Sequence, residues 1–339
     1  MKDQPKPGIW VKEMPKPSTA SNEILIRVKR ASICGSDIGI YDYSAAYSDF
    51  AKLPLILGHE FVGEVDEIGS DVLDFKTGNR VVAESVLSCG TCGYCRSGRT
   101  NLCLNSRVLG IHTNGGFSEY VNIPARHVHH LRDELSFREG TLIEPAAVAC
   151  HAVLDERRVE PMDFVTVIGP GPIGLLAAQV ARASGCGHVL VVGIDVDAKR
   201  LEIARDLGFE TINSTEQNPV QRTLELTDGI GANVAIVAAG APKALSQACE
   251  LVRKGGRIHS VGIFSKPVEL EATSLVRKEV TLSGTFVSTW KNYEQVMTLA
   301  ASKKINLEPL VTHEFQIEKA DLAFETAKAR DGCKVQFLI

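Results

Sequence analysis

Up to Cys150 the apolar positions come in short runs broken by glycine and turn residues, as in Ile24–Val28, Gly63–Ile68, Arg80–Ala83 and Phe117–Ile123. Short runs punctuated in this way predict strands and turns, hence a mostly-β unit. The rhythm then changes. Phe164–Ile168 reads as an apolar strand, Ile173–Ser184 as an amphipathic helix and Val189–Ile194 as the next strand, with further strands expected at Val234–Ala238, Arg257–Ile263 and Val280–Phe286. Strand, turn and helix in repetition predict βαβ units and a parallel sheet. The tail carries two helical stretches, Tyr293–Ser302 and Lys319–Lys328, and a last strand, Lys334–Leu338. No internal repeat or low-complexity segment interrupts this order.

Composition narrows the class. With 44% hydrophobic and 23% charged residues in 339, the chain has the make-up of a soluble globular protein of about two domains. A formal net charge of −4 and the lack of a Lys/Arg cluster argue against nucleic acid. No apolar run reaches the ~18 residues that a membrane span requires. The Pro-rich, polar start MKDQPKPGIWVKEMPKP has no apolar core of a secretory signal. Nine cysteines, an odd number, fit a reducing compartment, so a cytoplasmic protein is expected.

Four of those cysteines carry the strongest chemical signal. In SCGTCGYCRSGRTNLC, Cys89, Cys92, Cys95 and Cys103 are separated by two, two and seven residues, a spacing that lets four thiolates converge on one tetrahedral Zn²⁺. Gly90, Gly93 and Gly98 give the tight backbone this wrapping needs. A disulfide pair or a reduced surface loop are the alternatives. Four protein ligands close the metal to substrate, so such a lobe is structural and says nothing about a reaction.

Gly169-Pro170-Gly171-Pro172-Ile173-Gly174 follows the strand FVTVI and opens the helix IGLLAAQVARASG. In that context a G-x-G-x-x-G turn predicts dinucleotide binding, with the pyrophosphate at the helix N-terminus. Asp195, at the end of the next strand, is placed to accept hydrogen bonds from the adenosine ribose and to repel a 2′-phosphate, which favours NAD. Lys199 and Arg200 just downstream keep NADP open. A second, dispersed set comprises Cys34 in SICGSD, His59 in GHE and Glu144 in IEP. Thiolate, imidazole and carboxylate with a fourth position free would make an open Zn²⁺ site suited to substrate or water.

Taken together, CGSD, GHE, the four-Cys lobe, the EP pair and G-x-G-x-x-G resemble the zinc-containing medium-chain alcohol dehydrogenase family over essentially the whole chain. The segment CGYCRSGRTNLCLNSRVLGIHTNGGFSEY is similar to L-threonine 3-dehydrogenases, whereas IEPAAVACHAV and ASKKINLEPLVTHEFQIEKADLAFETAK are similar to sorbitol and other polyol dehydrogenases. The resemblance implies an α/β fold: a Rossmann doubly wound parallel sheet over 155–288, inserted into a GroES-like, mostly-β catalytic domain of 1–154 and 289–339, with the active site in the cleft between. It implies two zinc ions per chain, NAD as hydride acceptor, a small alcohol as substrate and a homodimer or homotetramer built on Val280–Phe286. Cys34, His59 and Glu144 would hold the catalytic zinc, with Glu60 beside it as a supporting or an alternating ligand. Asp37 would receive the other ring N–H of His59, and Ser36 would take the proton of the substrate hydroxyl. The implied reaction oxidises a secondary hydroxyl of a polyol, sugar or sugar phosphate, the alternative substrate being L-threonine or a related amino alcohol. Two positions depart from relatives: Gly39 stands where many carry a proton-relay histidine, leaving Tyr41 or His112 as other exits, and Val287 and Ser288 stand near the register of a polyol-binding arginine.

Overall fold

A computed structural model describes residues 1–48, 51–155, 159–264 and 266–339. It divides into two compact units: 1–144 with 289–301 and 310–339, and 145–288 with 302–309. The helix Ile143–Leu154 therefore crosses the first boundary, and the short segment 302–309 returns to the second unit.

The first unit is built on a seven-stranded sheet in the order Val311–Gln316, Lys334–Leu338, Glu23–Ser32, Glu60–Ile68, Arg80–Ala83, Val128–His130, with Tyr120–Pro124 also paired to Glu23–Ser32. Pairing is antiparallel except between Val311–Gln316 and Lys334–Leu338. Tyr120–Pro124 alternates buried and half-buried positions, as a strand with one covered face does. The long strand Glu23–Ser32 buries Ile24, Ile26, Val28 and Ala31 in a core shared with Phe61, Phe117, Phe324 and Phe337. Phe117 and Phe337 meet edge to face at 5.0 Å.

The second unit is a six-stranded, all-parallel sheet in the order Glu210–Asn213, His188–Gly193, Phe164–Ile168, Ala232–Val237, Val252–Ser260, Thr281–Gly284. Crossover helices cover both faces of the central strands, and HVLVVG and ANVAIV are accordingly almost wholly buried. The strand order reverses next to Phe164–Ile168, the switch point where doubly wound sheets bind nucleotides. Each expected strand overlaps an observed one, although the run Phe117–Ile123 becomes a strand only from Tyr120 and Arg257–Ile263 stops at Ser260. Val311–Gln316, with alternating exposure in the sequence VTHEFQ, was not expected, because its pattern is too polar to stand out.

Candidate functional site

The four-Cys lobe forms a compact loop. Cys92 is the N-cap of the one-turn helix Gly93–Arg96 and Cys103 closes the turn Thr100–Leu102. The sulfurs stand 4.0 Å (Cys89–Cys95), 3.6 Å (Cys92–Cys95) and 3.9 Å (Cys92–Cys103) apart. Four sulfurs on a tetrahedron of Zn–S bonds of about 2.3 Å lie about 3.8 Å from one another, so the lobe fits zinc without rearrangement. Backbone N–H groups of Thr91 and Cys92 point at Cys89 Sγ, and those of Cys89 and Asn105 point at Cys103 Sγ. Hydrogen bonds from Thr91 and Cys92 lower the Cys89 pKa to about 5, as a metal-ready thiolate requires. All nine cysteines are free of disulfides.

The dispersed set also converges. Cys34 is the N-cap of the helix Gly35–Tyr41, and His59 and Glu60 enter the strand Glu60–Ile68 from the preceding loop. The ligand atoms of Cys34, His59 and Glu60 lie within 4.8 Å of one another. Glu144, near the start of the helix Ile143–Leu154, is buried next to this cluster. Its carboxyl takes a hydrogen bond from Ser85 and feels the charges of His59 and Glu60. The tightest trio thus holds Glu60, which the family resemblance makes a supporting or alternating ligand, and Glu144 is buried beside it.

Charge explains why this cluster wants a cation. Asp37, Glu60 and Glu144 are buried together with the half-buried Cys34 thiol. Burial pushes the pKa of both Asp37 and Glu144 up, only partly relieved by His59. The fixed counter-charge is Lys334, itself buried, whose Nζ stands 2.6 Å from Glu60 Oε1 and 3.0 Å from the Ile33 carbonyl. Burial opposes the lysine's charge, but Glu60, Cys34 and Glu144 more than offset it and raise its pKa. Ser32 Oγ donates to the other Glu60 oxygen. One ammonium among several buried anions leaves an excess that a divalent ion would neutralise. Burial works against a proton on His59, but Asp37, Cys34 and Glu144 raise its pKa well above the ordinary value, and a bound metal would displace that proton. His59 Nδ1 is buried without a hydrogen-bond partner, 3.9 Å from Asp37 Oδ1. That separation is an electrostatic contact rather than the hydrogen bond expected of Asp37, whose carboxylate instead accepts the backbone N–H groups of Cys34 (2.9 Å) and Gly58 (3.2 Å).

Lys334, Ser32 and Ser85 escaped sequence reasoning, as did Tyr293, whose buried hydroxyl accepts the Ser85 N–H at 3.2 Å. Only Lys334 left a trace in the sequence: a charge opening the apolar strand KVQFL. Ser36 is half-buried in the first turn after Cys34. Of the two alternative proton exits, Tyr41 is packed into the core, stacked 4.7 Å from Phe324, with burial pushing its pKa to about 12. His112 spends Nδ1 on the Val108 N–H at 3.0 Å.

In the second unit the glycine turn joins Phe164–Ile168 to the helix Pro172–Ala183, with Gly171 as N-cap, Pro172 and Ile173 as the first helical residues, and Gly174 buried behind them. Gly169 has φ +103°, and a Cβ on Gly174 would fall 1.9 Å from the Gly169 carbonyl oxygen, so these two are glycine for the chain's own packing. Gly171 is different. A Cβ there would meet nothing nearer than Arg200 Nη1 at 4.0 Å, and the open space beside a helix N-terminus is what a pyrophosphate needs. Asp195 is exposed at the end of His188–Gly193, its Oδ1 accepting from Asn213 Nδ2 at 2.6 Å and from Thr215 Oγ1. These two bonds hold its pKa below the usual carboxylate range. Arg200 leans on Asp197 at 3.5 Å. Beyond the last strand, the β-branched Val287 is held at φ +53°, and Ser288 Oγ is buried without a partner.

Residues 20–133 match the alcohol dehydrogenase GroES-like domain and residues 172–302 the zinc-binding dehydrogenase domain. A sorbitol dehydrogenase of Halalkalibacterium halodurans is 37% identical, over 96% of this chain and 94% of its own. The chain belongs to the zinc-containing medium-chain dehydrogenase family. An L-threonine 3-dehydrogenase of Bacillus subtilis is 35% identical over 97% of this chain and 94% of its own. An alcohol dehydrogenase of Escherichia coli CFT073, solved with NADH, superposes with a TM-score of 0.89 at 31% identity, covering 98% of this chain and 97% of that one. This medium-chain dehydrogenase is therefore a zinc-dependent oxidoreductase with a GroES-like domain and a Rossmann sheet. No described helix is long and apolar enough to cross a membrane.

Proposed function

We propose that the chain oxidises a secondary hydroxyl of a polyol, sugar or sugar phosphate with NAD⁺. The observation that carries the reading is the buried, anion-rich cluster of Cys34, His59 and Glu60 with Glu144 buried beside it and Ser36 half-buried in the first turn after Cys34. Bound zinc supplies Lewis acidity and bound NAD⁺ accepts the hydride. Cys34, His59 and either Glu60 or Glu144 hold the metal. Lys334 and Ser32 hold the Glu60 carboxylate in one orientation, and Ser85 does the same for Glu144. Asp37 faces the His59 imidazole at 3.9 Å and ties down the Cys34 backbone. Ser36 Oγ accepts the hydrogen bond of the reacting hydroxyl and donates onward, moving the proton toward solvent. Gly169, Gly171, Pro172, Ile173 and Gly174 cradle the pyrophosphate, and Asp195 takes the ribose hydroxyls and disfavours NADP.

A panel of polyols, sugar phosphates and L-threonine with NAD⁺ and NADP⁺ tests the reading. Best turnover on a polyol or its phosphate with NAD⁺ is expected. L-threonine is the second reading, favoured by the B. subtilis relative, and leading turnover on it would replace the first. The edge strand Thr281–Gly284, with Leu282 and Phe286 exposed, would pair with a second copy to make a dimer or a tetramer of dimers. A monomer by light scattering would refute that assembly. Nine free cysteines suit a reducing cytoplasm.

A further inference from the structure

Gly39 lies in the interior of the helix Gly35–Tyr41, at no positive φ, where glycine weakens a helix and needs a reason. The reason is steric. A Cβ on Gly39 would lie 2.4 Å from both Cδ2 and Cε2 of Tyr47 and 3.4 Å from its Cγ, whereas a Cβ on Gly35 in the same helix would meet nothing. The Tyr47 ring is therefore seated directly on the Gly39 backbone. Gly39 follows Ser36 by three positions, so the two share a helix face, and the ring covers that face one turn beyond the serine. Tyr47 is half-buried, and burial, then the neighbouring Cys34 and Asp37, raise the pKa of its hydroxyl, which stays protonated and within electrostatic reach of the metal-binding thiol. Among the described residues none hydrogen-bonds that hydroxyl. A neutral, uncommitted O–H beside a metal cluster is a ready partner for a ligand oxygen.

We infer that Tyr47 is a specificity-determining residue that hydrogen-bonds a second hydroxyl of the substrate, on the carbon next to the one oxidised, and that Gly39 is glycine to seat its ring. The inference deepens the reading above and rests on it. Ser36 takes the reacting hydroxyl, and Tyr47, farther along the same face, takes its neighbour. The site thereby selects vicinal diols and polyols over monoalcohols, since a monoalcohol leaves the tyrosine O–H without its partner.

The test uses the zinc-loaded enzyme with NAD⁺ and the matched pair 2,3-butanediol and 2-butanol. Wild type should prefer the diol. Tyr47→Phe should lower kcat/KM for the diol by on the order of ten- to a hundredfold while changing that for 2-butanol by less than about threefold. Packing is tested by melting temperature, independently of turnover: Gly39→Ala should destabilise, and Gly39→Ala combined with Tyr47→Ala should recover most of that loss relative to Tyr47→Ala alone. An unchanged diol-to-monoalcohol ratio in Tyr47→Phe, or an equal fall for both alcohols, overturns the recognition role. Additive destabilisation in the double variant overturns the seating of the ring. A wild type that oxidises no polyol at all refutes the functional reading and this inference with it, whereas activity with an unmoved ratio refutes the inference alone.

Discussion

The two metal sites of the first unit are built on opposite plans. The lobe takes four like ligands from one stretch of fifteen residues, Cys89 to Cys103, and closes them with its own backbone N–H groups. The open cluster takes unlike ligands from three distant segments, Cys34, His59–Glu60 and Glu144, and holds them through a buried lysine from the far end of the chain. The lobe stands on local geometry and needs little from the rest of the fold. The open cluster confines several anions where water cannot solvate them, which is costly alone and is tolerated because Lys334 and a cation offset it. A site that must leave one position free for substrate cannot be self-closing, so its support is exported to residues elsewhere.

The largest predicted contrast comes from one ligand in each site. Cys34→Ser should lower kcat/KM by about a thousandfold or more, ~4 kcal/mol of transition-state stabilisation, with little change in melting temperature. Cys103→Ser should do the reverse, lowering melting temperature and releasing one of two zinc equivalents, because a structural metal contributes folding free energy. Metal analysis, calorimetry and kinetics on both variants check this, and equal thermal losses would erase the distinction. Next in size, Lys334→Met leaves the buried Glu60 carboxylate without its counter-ion and should cost about 3–5 kcal/mol by denaturant unfolding, an effect with no counterpart in the lobe.

Glu84 probes the polar frame between the sites. Burial by itself would raise its pKa, but hydrogen bonds from His127 and His129 more than offset this and hold it below the ordinary range. His127 Nδ1 lies 2.9 Å from Glu84 Oε2, and the other ring nitrogen faces the carbonyl of Ser88, the residue before Cys89. A depressed pKa in the folded state means that the ionised carboxylate stabilises the fold above the unfolded value of about 4.3, and that this contribution fades as pH falls through the lower folded-state value. Glu84→Gln should therefore cost about 1–3 kcal/mol near neutral pH, and its stability should converge on wild type in acid. A gap that stays constant with pH would exclude this linkage. The smallest effect is expected away from both metals: Asp195→Ser should narrow the preference for NAD⁺ over NADP⁺ by about tenfold in kcat/KM, since the exposed carboxylate acts only through ribose contact and repulsion of a 2′-phosphate.

What could be read in advance follows the same division. The lobe and the glycine turn are short-range patterns whose spacing states their geometry, and the buried parallel strands announce themselves as unbroken apolar runs. Cys34, His59 and Glu144 are suggested as a set by their donor chemistry, but no local spacing ties them together, and likeness to a family is what gives them specific roles. In the sequence Lys334 opens a strand and Tyr293 a helical stretch, and neither these nor Tyr47 carries a sign of its role. Gly39 looked like a missing histidine until the ring of Tyr47 was found seated on it.

By itself, then, the sequence determined the two kinds of sheet, the closed metal lobe and the nucleotide turn, since each is encoded in residues that are neighbours along the chain. Only the tertiary structure decided that Glu60 rather than Glu144 completes the tightest trio, that Asp37 spends its hydrogen bonds on backbone, and that Lys334 supplies the buried positive charge. Those choices depend on which charges share one dry volume, and separation in sequence carries no information about that.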